Sequence, residues 1–265
     1  MGEALEPYYL FALRAIAREG TYRFEVFTSI ASLVVRVYLL RVVWVALYAR
    51  NDAPHGVPLH SIITYSAVAL LMGLVLDIDQ AKLLHDKLHD GSIVVDMMKP
   101  ISVPLYLFAD GTGEVLFHAS LIVPSLALAL LVVHIDVPSA GVFGAFALSF
   151  FLGYFVGFFL NFTLNCIAFW TLEITAFQLI VTWITDLLGG QIVPLLFFPA
   201  VVQQAVFALP FAAMFSTPLL IYVGQIPPER YAEVMGLQVL WIVILAAVST
   251  LMWRAGTRRV VVQGG

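Results

Sequence analysis

Hydrophobic and polar positions fall into long, separate blocks along this chain. Apolar stretches of about 20 residues, the length that crosses a bilayer as a helix, occupy most of the sequence and are separated by short polar gaps. This pattern predicts an all-α, polytopic membrane protein with six transmembrane helices. The predicted spans cover residues 26–48, 59–76, 115–135, 141–169, 174–189 and 231–253.

The stretch before the first span has a different pattern. Between residues 7 and 24, apolar side chains recur at helical spacing beside Arg14, Arg18 and Arg23, which is typical of an amphipathic helix lying in the membrane interface. Gly20 is the expected break after this helix. The sequence therefore predicts an interfacial helix in residues 1–25 and a transmembrane domain in residues 26–265.

A polar segment at residues 77–100 follows the second span. Its part from 80 to 90 predicts a short helix, with Gly91 as a C-terminal cap. Glycine and acidic residues after this segment indicate an elbow before the third span. The expected elbow contains Asp110, Gly111, Gly113 and Glu114.

The region before the last span is apolar but interrupted by prolines, and no charged residue occurs between Asp186 and Glu229. One complete extra span here would put the basic C-terminus outside the cell, against the preference of basic residues for the cytoplasm. A re-entrant hairpin at about 190–228 avoids that conflict, because non-helical backbone is tolerated in a membrane where protein covers it.

Composition and charge agree with this topology. Hydrophobic residues make up 62% of the chain and charged residues 11%, with a mean hydropathy of +0.97, which is outside the range of ordinary soluble domains. Nine of the 13 Lys and Arg precede the first span, follow the second or follow the last. Those ends are therefore expected in the cytoplasm. We expect a prokaryotic inner-membrane protein with both termini inside and no nucleic-acid partner.

Two arginines lie inside the first predicted span. An intramembrane arginine costs about 2.5 to 3.5 kcal/mol on insertion scales and usually faces a cavity or a partner helix. Arg36 and Arg41 therefore either line a polar path for an anionic or amphipathic substrate or have a structural role. The structural alternatives are pairing with Asp77, Glu173 or Asp186, or a span shifted by one turn so that Arg41 reaches the outer interface.

The fourth span carries small side chains at four-residue spacing, which places them on one face of a helix. Small residues let two helices approach closely, so we expect this face to pack within the subunit rather than at a subunit interface. The ladder consists of Gly141, Ala145, Ser149, Gly153 and Gly157, and Asn161 and Asn165 continue it.

The polar helix after the second span offers two interpretations. His85 and His89 lie four residues apart, a spacing that can hold zinc on a helix, but the segment has no clear third ligand. A docking surface for a partner protein explains the segment better. That surface consists of His85, Asp86, Lys87, Leu88, His89, Asp90 and Gly91.

Several catalytic motifs are absent from the sequence. It contains no Gly-x-x-x-x-Gly-Lys-Ser/Thr, so the chain has no P-loop for ATP. It also contains no H-E-x-x-H, no G-x-S-x-G and no acidic pair within a span. We therefore expect no enzymatic activity and no metal or cofactor bound by this chain.

Three segments, in this order and spacing, resemble the type 2 ABC-transporter permeases of the small six-span class, and the resemblance covers nearly the whole chain. The first is GSIVVDMMKP at 91–100, after the second span. The second is GQIVPLLFFP at 190–199, followed by LPF at 209–211. The third is WRAGTRR at 253–259, with the two glycines at 264 and 265.

The resemblance implies an export permease that works as a dimer of identical or homologous chains on two separate ATPase subunits, which bind ATP and Mg²⁺. It implies that residues 7–24 are the connector helix, that 82–91 form the coupling helix on the ATPase, and that 190–228 close the translocation path. Two alternatives stay open. An ion-coupled secondary transporter would need internal repeats and an intramembrane carboxylate, and a non-transporting membrane scaffold would need no ATPase.

Overall fold

The computed structural model describes residues 6–21, 23–49, 56–76, 82–171 and 174–263. Within these ranges the regular secondary structure is entirely helical, which confirms the all-α prediction. The helices are α1 (Glu6–Glu19), α2 (Arg23–Tyr48), α3 (Leu59–Leu76), α4 (Lys82–His89), α5 (Ile93–Met97), α6 (Val103–Ala129), α7 (Ala140–Cys166), α8 (Thr175–Leu188), α9 (Ala200–Phe207), α10 (Pro210–Met214), α11 (Ser216–Tyr222) and α12 (Tyr231–Gln263).

Five helices in the described ranges are long and apolar enough to cross a membrane: α2, α3, α6, α7 and α12. They support a multi-pass membrane protein. The predicted second span has the same bounds as α3, and the first and fourth lie close to α2 and α7. The apolar helix α8 has 14 residues, fewer than the roughly 20 that cross a bilayer, so a sixth span at 174–189 remains a prediction.

The predicted position of the third span is wrong at both ends. Helix α6 begins at Val103 and runs unbroken to Ala129, so the residues expected to form an elbow lie within it. The close approach of α1 explains the glycine in this stretch. A Cβ atom on Gly113 would lie 2.3 Å from the backbone oxygen of Ala12 and 2.8 Å from Cβ of Ala15. Only a glycine lets the two helices cross this closely.

The acidic residues of the expected elbow also serve the contact between α1 and α6. The guanidinium of Arg18 lies 3.3 Å from the carboxylate of Asp110 and 3.6 Å from that of Glu114. Asp110 and Glu114 are one helical turn apart and therefore lie on the same face of α6. Their charges hold the end of α1 against α6, so they do not mark a turn.

Helix α7 packs against α4, α10, α11 and α12. Gln238 of α12 joins three of these elements by hydrogen bonds and is fully buried. Its side-chain amide nitrogen donates to the backbone oxygens of Ser149 (2.9 Å) and Ala213 (2.8 Å), and its oxygen accepts from the Ser149 hydroxyl at 3.0 Å. A buried amide with its hydrogen bonds satisfied fixes the relative position of the helices that it joins.

The chain between α8 and α12 is broken into the short helices α9, α10 and α11. A turn with Gly190 at a φ of +79° ends α8. The carbonyls at this helix end are buried, yet each has a donor: Ser216 donates to Gly189 at 2.7 Å and Tyr65 to Gly190 at 2.8 Å. These bonds satisfy helix-end carbonyls that have no partner within the helix. A re-entrant path for residues 190–228 remains a prediction.

Candidate coupling surface and polar cavity

Helices α4 and α5 form one compact unit. Gly91 between them has a φ of +77°, the left-handed conformation expected of a C-terminal cap. The carboxylate of Asp90 accepts a hydrogen bond from the backbone nitrogen of Ser92 at 2.8 Å, which tightens the turn. The helix predicted at 80–90 corresponds to α4, and a second short helix, α5, follows the Gly91 turn.

The inner face of this unit is anchored in the bundle. Leu84 of α4 and Ile93 of α5 are 0% and 2% exposed. Both belong to an apolar cluster with residues from α6 and α7, which include Leu107, Phe158 and Phe162. Burying a leucine or isoleucine contributes about 1.5 to 3 kcal/mol. Helices this short are not stable alone, so these contacts hold α4 and α5 in place.

An ion-pair cluster adds to the anchor. The buried carboxylate of Asp96 contacts the ammonium groups of Lys87 and Lys99. Burial acts to raise the pKa of Asp96, but the two lysines outweigh it and lower that pKa. The Lys87 ammonium also lies 5.6 Å from the centre of the Tyr106 ring, within cation–π range. Tyr106 in turn contacts Phe11 of α1, with ring centroids 4.4 Å apart.

The outer face of the unit carries apolar side chains that the sequence interpretation missed. Val94, Val95 and Met98 are 44%, 58% and 82% exposed. Asp86, His89 and Asp90 are exposed on α4 and in the turn. We call these six residues the coupling surface. The available signal was the occurrence of five apolar residues between 93 and 98 in a polar segment, but α5 is too short for its periodicity to reveal which three of them are exposed.

A polar cavity of about 480 Å³ lies where α3, α4, α7 and α8 meet. We call it the α4–α8 cavity. Its apolar lining consists of Leu76, Leu160, Leu164, Val181 and Met214. The polar lining comes from His85 and Asp86 of α4, Asn161 of α7, and Gln178, Thr182 and Asp186 of α8. The cavity is thus lined both by α4, part of the α4–α5 unit, and by α8, a predicted membrane span.

Comparison with known families agrees with this arrangement. Residues 33–264 match the family model described as ABC-2 family transporter protein. The chain belongs to the ABC-2 transporter family. ABC-2 proteins are membrane components of transporters, are not themselves catalytic, and associate in general with ABC ATPase subunits. A comparison with curated proteins found no match.

Within this ABC-2 chain, the seven residues predicted for ATPase docking divide into two groups. Asp86, His89, Asp90 and Gly91 are exposed, whereas His85 and Leu88 are partly buried. Lys87 is also partly buried, with a side chain that is 17% exposed and contacts Asp96, and its part in docking stays a prediction. Asp96 lies nine residues further along the chain, and no local pattern predicts that contact.

Among the described residues, no third ligand lies beside the two histidines of α4. The ring centroids of His85 and His89 are 6.2 Å apart. Within the part of the chain that the structure describes, no group of three or more His, Cys, Asp or Glu side chains is placed to hold a metal ion.

Arg36 and Arg41 lie in different surroundings in this ABC-2 protein. Arg41 donates to the backbone oxygen of Val132 at 2.9 Å, just beyond the C-terminal end of α6. A basic side chain is favourable there because unpaired carbonyls and the helix dipole make a helix C-terminus negative. Arg36 lines a separate cavity of about 200 Å³, and its charge acts on Asp186. Asp77 and Glu173, the other suggested partners, are outside the described residues.

The small-residue ladder on α7 contacts α10 and α12 at some positions only. Cβ atoms added to Gly153 and Gly157 would lie 2.8 and 2.9 Å from atoms of Met214. Ser149 bonds to Gln238 as described above, and Ala145 packs against a cluster of buried apolar residues that includes Tyr154 and Phe215. Gly141 is exposed and would place its Cβ in open space, with no described atom within 4 Å.

Proposed function

We propose that this chain is the permease subunit of an ATP-driven ABC exporter. It would lie in the prokaryotic inner membrane with both termini in the cytoplasm, and would pair with a second permease, identical or homologous. ATP and Mg²⁺ would be bound by separate ATPase subunits. Family membership and the absence of a P-loop from this sequence support a permease that leaves ATP binding to a separate subunit.

The observation that carries the proposal is the coupling surface. Its apolar residues Val94, Val95 and Met98 are exposed on a unit whose other side is fixed in the bundle. Exposed apolar groups beside charged ones are typical of protein–protein contacts. A partner that pushes on this surface moves α4 and α5 as one body, and their anchors transmit the motion to α6 and α7. Such a rigid-body shift is a common way to switch a transporter.

The experiment compares two exposed apolar residues that the structure places at different ends of the bundle. The tagged chain is purified from its host in mild detergent, and co-purifying proteins are identified by mass spectrometry. We expect recovery of a protein with a P-loop. Met98→Glu should abolish that recovery because a charge replaces an exposed apolar contact. Val137→Glu, at a residue that is 88% exposed between α6 and α7, should leave it unchanged.

Two other outcomes would contradict the proposal. Recovery of the chain alone, stable and without an ATPase, would favour the secondary transporter. Equal recovery of the ATPase with the Met98→Glu and Val137→Glu variants would show that the coupling surface does not bind the ATPase.

A further inference from the structure

We propose that the α4–α8 cavity binds an amphipathic organic cation. This inference names a substrate class and therefore rests on the proposed permease function. The volume of the α4–α8 cavity, about 480 Å³, falls within the roughly 300 to 1,000 Å³ that is typical of small-molecule sites. The proposal reverses the polarity suggested by Arg36 and Arg41, which indicated an anionic or amphipathic substrate.

The charges that line the cavity are negative. Asp86 contributes from α4 and Asp186 from α8, and no lysine or arginine is among the lining residues that the structure describes. Asp186 is part of the apolar helix α8. An ionisable residue in a predicted membrane span is costly and usually faces a partner or a polar pathway. A bound cation would neutralise two carboxylates that come from different elements.

The rest of the lining suits a ligand that has both polar and apolar parts. The Thr182 hydroxyl donates to the backbone oxygen of Gln178 at 2.9 Å, which leaves the lone pairs of its oxygen as acceptors. Nδ1 of His85 is buried and has no hydrogen-bond partner within the described ranges. Leucine, valine and methionine side chains make up the apolar part of the lining. Acceptors and carboxylates beside hydrocarbon in one cavity match an organic cation with N–H groups.

Arg36 gives the inference a directional test. Its positive charge acts on Asp186, but its side chain lines the other, smaller cavity. A bound cation and Arg36 would therefore both interact with the Asp186 carboxylate, and the arginine would repel the cation. Removing the arginine charge should strengthen the binding of a cation. If the cavity binds anions instead, the same substitution should weaken the binding of an anion.

The experiment measures equilibrium binding to the purified full-length chain in nanodiscs by fluorescence polarisation. The probe is rhodamine 6G, an amphipathic cation, and fluorescein serves as an anionic dye of the same xanthene class. Asp186→Asn should weaken rhodamine 6G binding by about tenfold, the size expected for one lost charge-assisted contact. Arg36→Gln should tighten it severalfold. Glu233→Gln, at an exposed residue paired with Arg230, is the matched control and should have no effect.

Asp86→Asn provides a second variant at an exposed position, in case Asp186→Asn does not fold. It should also weaken rhodamine 6G binding. The proposal is overturned if both aspartate variants bind rhodamine 6G as tightly as the parent does. It is also overturned if fluorescein binds more tightly than rhodamine 6G and Arg36→Gln weakens the binding of fluorescein. Binding is measured without an ATPase, so a negative result leaves the ATPase-recovery experiment intact. A failure of that recovery likewise leaves the binding result interpretable.

Discussion

Lys87 of α4 and Asp96 of α5 form an ion pair beneath the coupling surface. The carboxylate of Asp96 is 6% exposed and the Lys87 side chain 17%, so solvent screens their interaction only weakly. Lys99 contacts the other carboxylate oxygen at 2.6 Å. The residues that face outward can meet a partner while the pair between the two helices keeps their relative position. The stability of the α4–α5 unit therefore depends on the buried ion pair, whereas contact with a partner depends on the exposed residues of the coupling surface.

Asp96→Asn should destabilise the protein. The substitution leaves the partly buried Lys87 ammonium without its counter-charge. Breaking a fully buried pair in this way costs about 3 to 5 kcal/mol, and the partial exposure of Lys87 makes the expected cost smaller. Thermal unfolding followed by tryptophan fluorescence should show a clearly lower midpoint, and trypsin should cleave faster at Lys87. Asp86→Asn changes an exposed aspartate of the same unit and is the control. Equal unfolding midpoints for the two variants would contradict a structural role for Asp96.

The same ion pair should make stability depend on pH at the acidic end. Burial opposes ionisation of Asp96, but Lys87 and Lys99 outweigh it, so its pKa is lowered on folding. A lowered pKa means that this stabilisation is present above the unfolded value of about 3.9 and is lost as the pH falls through the folded value. The difference in unfolding midpoint between the parent and Asp96→Asn should therefore shrink below about pH 4. A constant difference from pH 3 to 7 would exclude this titration.

The sequence predicted the long helices well where polar loops bound an apolar block, as at Leu59–Leu76. The prediction failed at α6 because the roles of Gly113 and Asp110 depend on Ala12 and Arg18, which lie roughly 90 to 100 positions earlier. A glycine next to acidic residues reads locally as a turn. Here the glycine admits α1 and the carboxylate binds Arg18. Local propensity was overridden by a tertiary contact that a single sequence does not reveal.

The α4–α5 unit shows the same limit at a smaller scale. Its location and its Gly91 cap could be predicted, because glycine after a short helical pattern is a strong local signal. The inward direction of Lys87 and the exposure of Val95 and Met98 could not. In helices of eight and five residues, the spacing of apolar residues does not decide which face is buried. Packing against α6 and α7 decides it.

Gly113→Ala should loosen α1 from α6. The added Cβ atom would meet the backbone of Ala12 at 2.3 Å, a distance that forces the helices apart and also weakens the Arg18 ion pairs. We expect lower thermal stability and faster tryptic cleavage after Arg14, which is exposed on α1. Gly144→Ala is the control, because its Cβ would enter open space and alanine favours a helix by about 1 kcal/mol over glycine. Unchanged cleavage at Arg14 in Gly113→Ala would show that α1 does not depend on this crossing.

Gln238→Leu should be among the most destabilising single substitutions in the bundle. It removes both donors from the buried carbonyls of Ser149 and Ala213 and the acceptor of the Ser149 hydroxyl. The Ser149 carbonyl keeps its hydrogen bond within α7, but a buried polar group left unsatisfied, such as the Ser149 hydroxyl, costs about 1 to 3 kcal/mol. Because three hydrogen bonds are lost together, the loss exceeds that of one. Gln204→Leu is the control, since Gln204 is exposed on α9. Thermal unfolding in nanodiscs should separate the two variants by several degrees. A midpoint for Gln238→Leu equal to that of Gln204→Leu would mean that α7, α10 and α12 are held together by apolar packing alone.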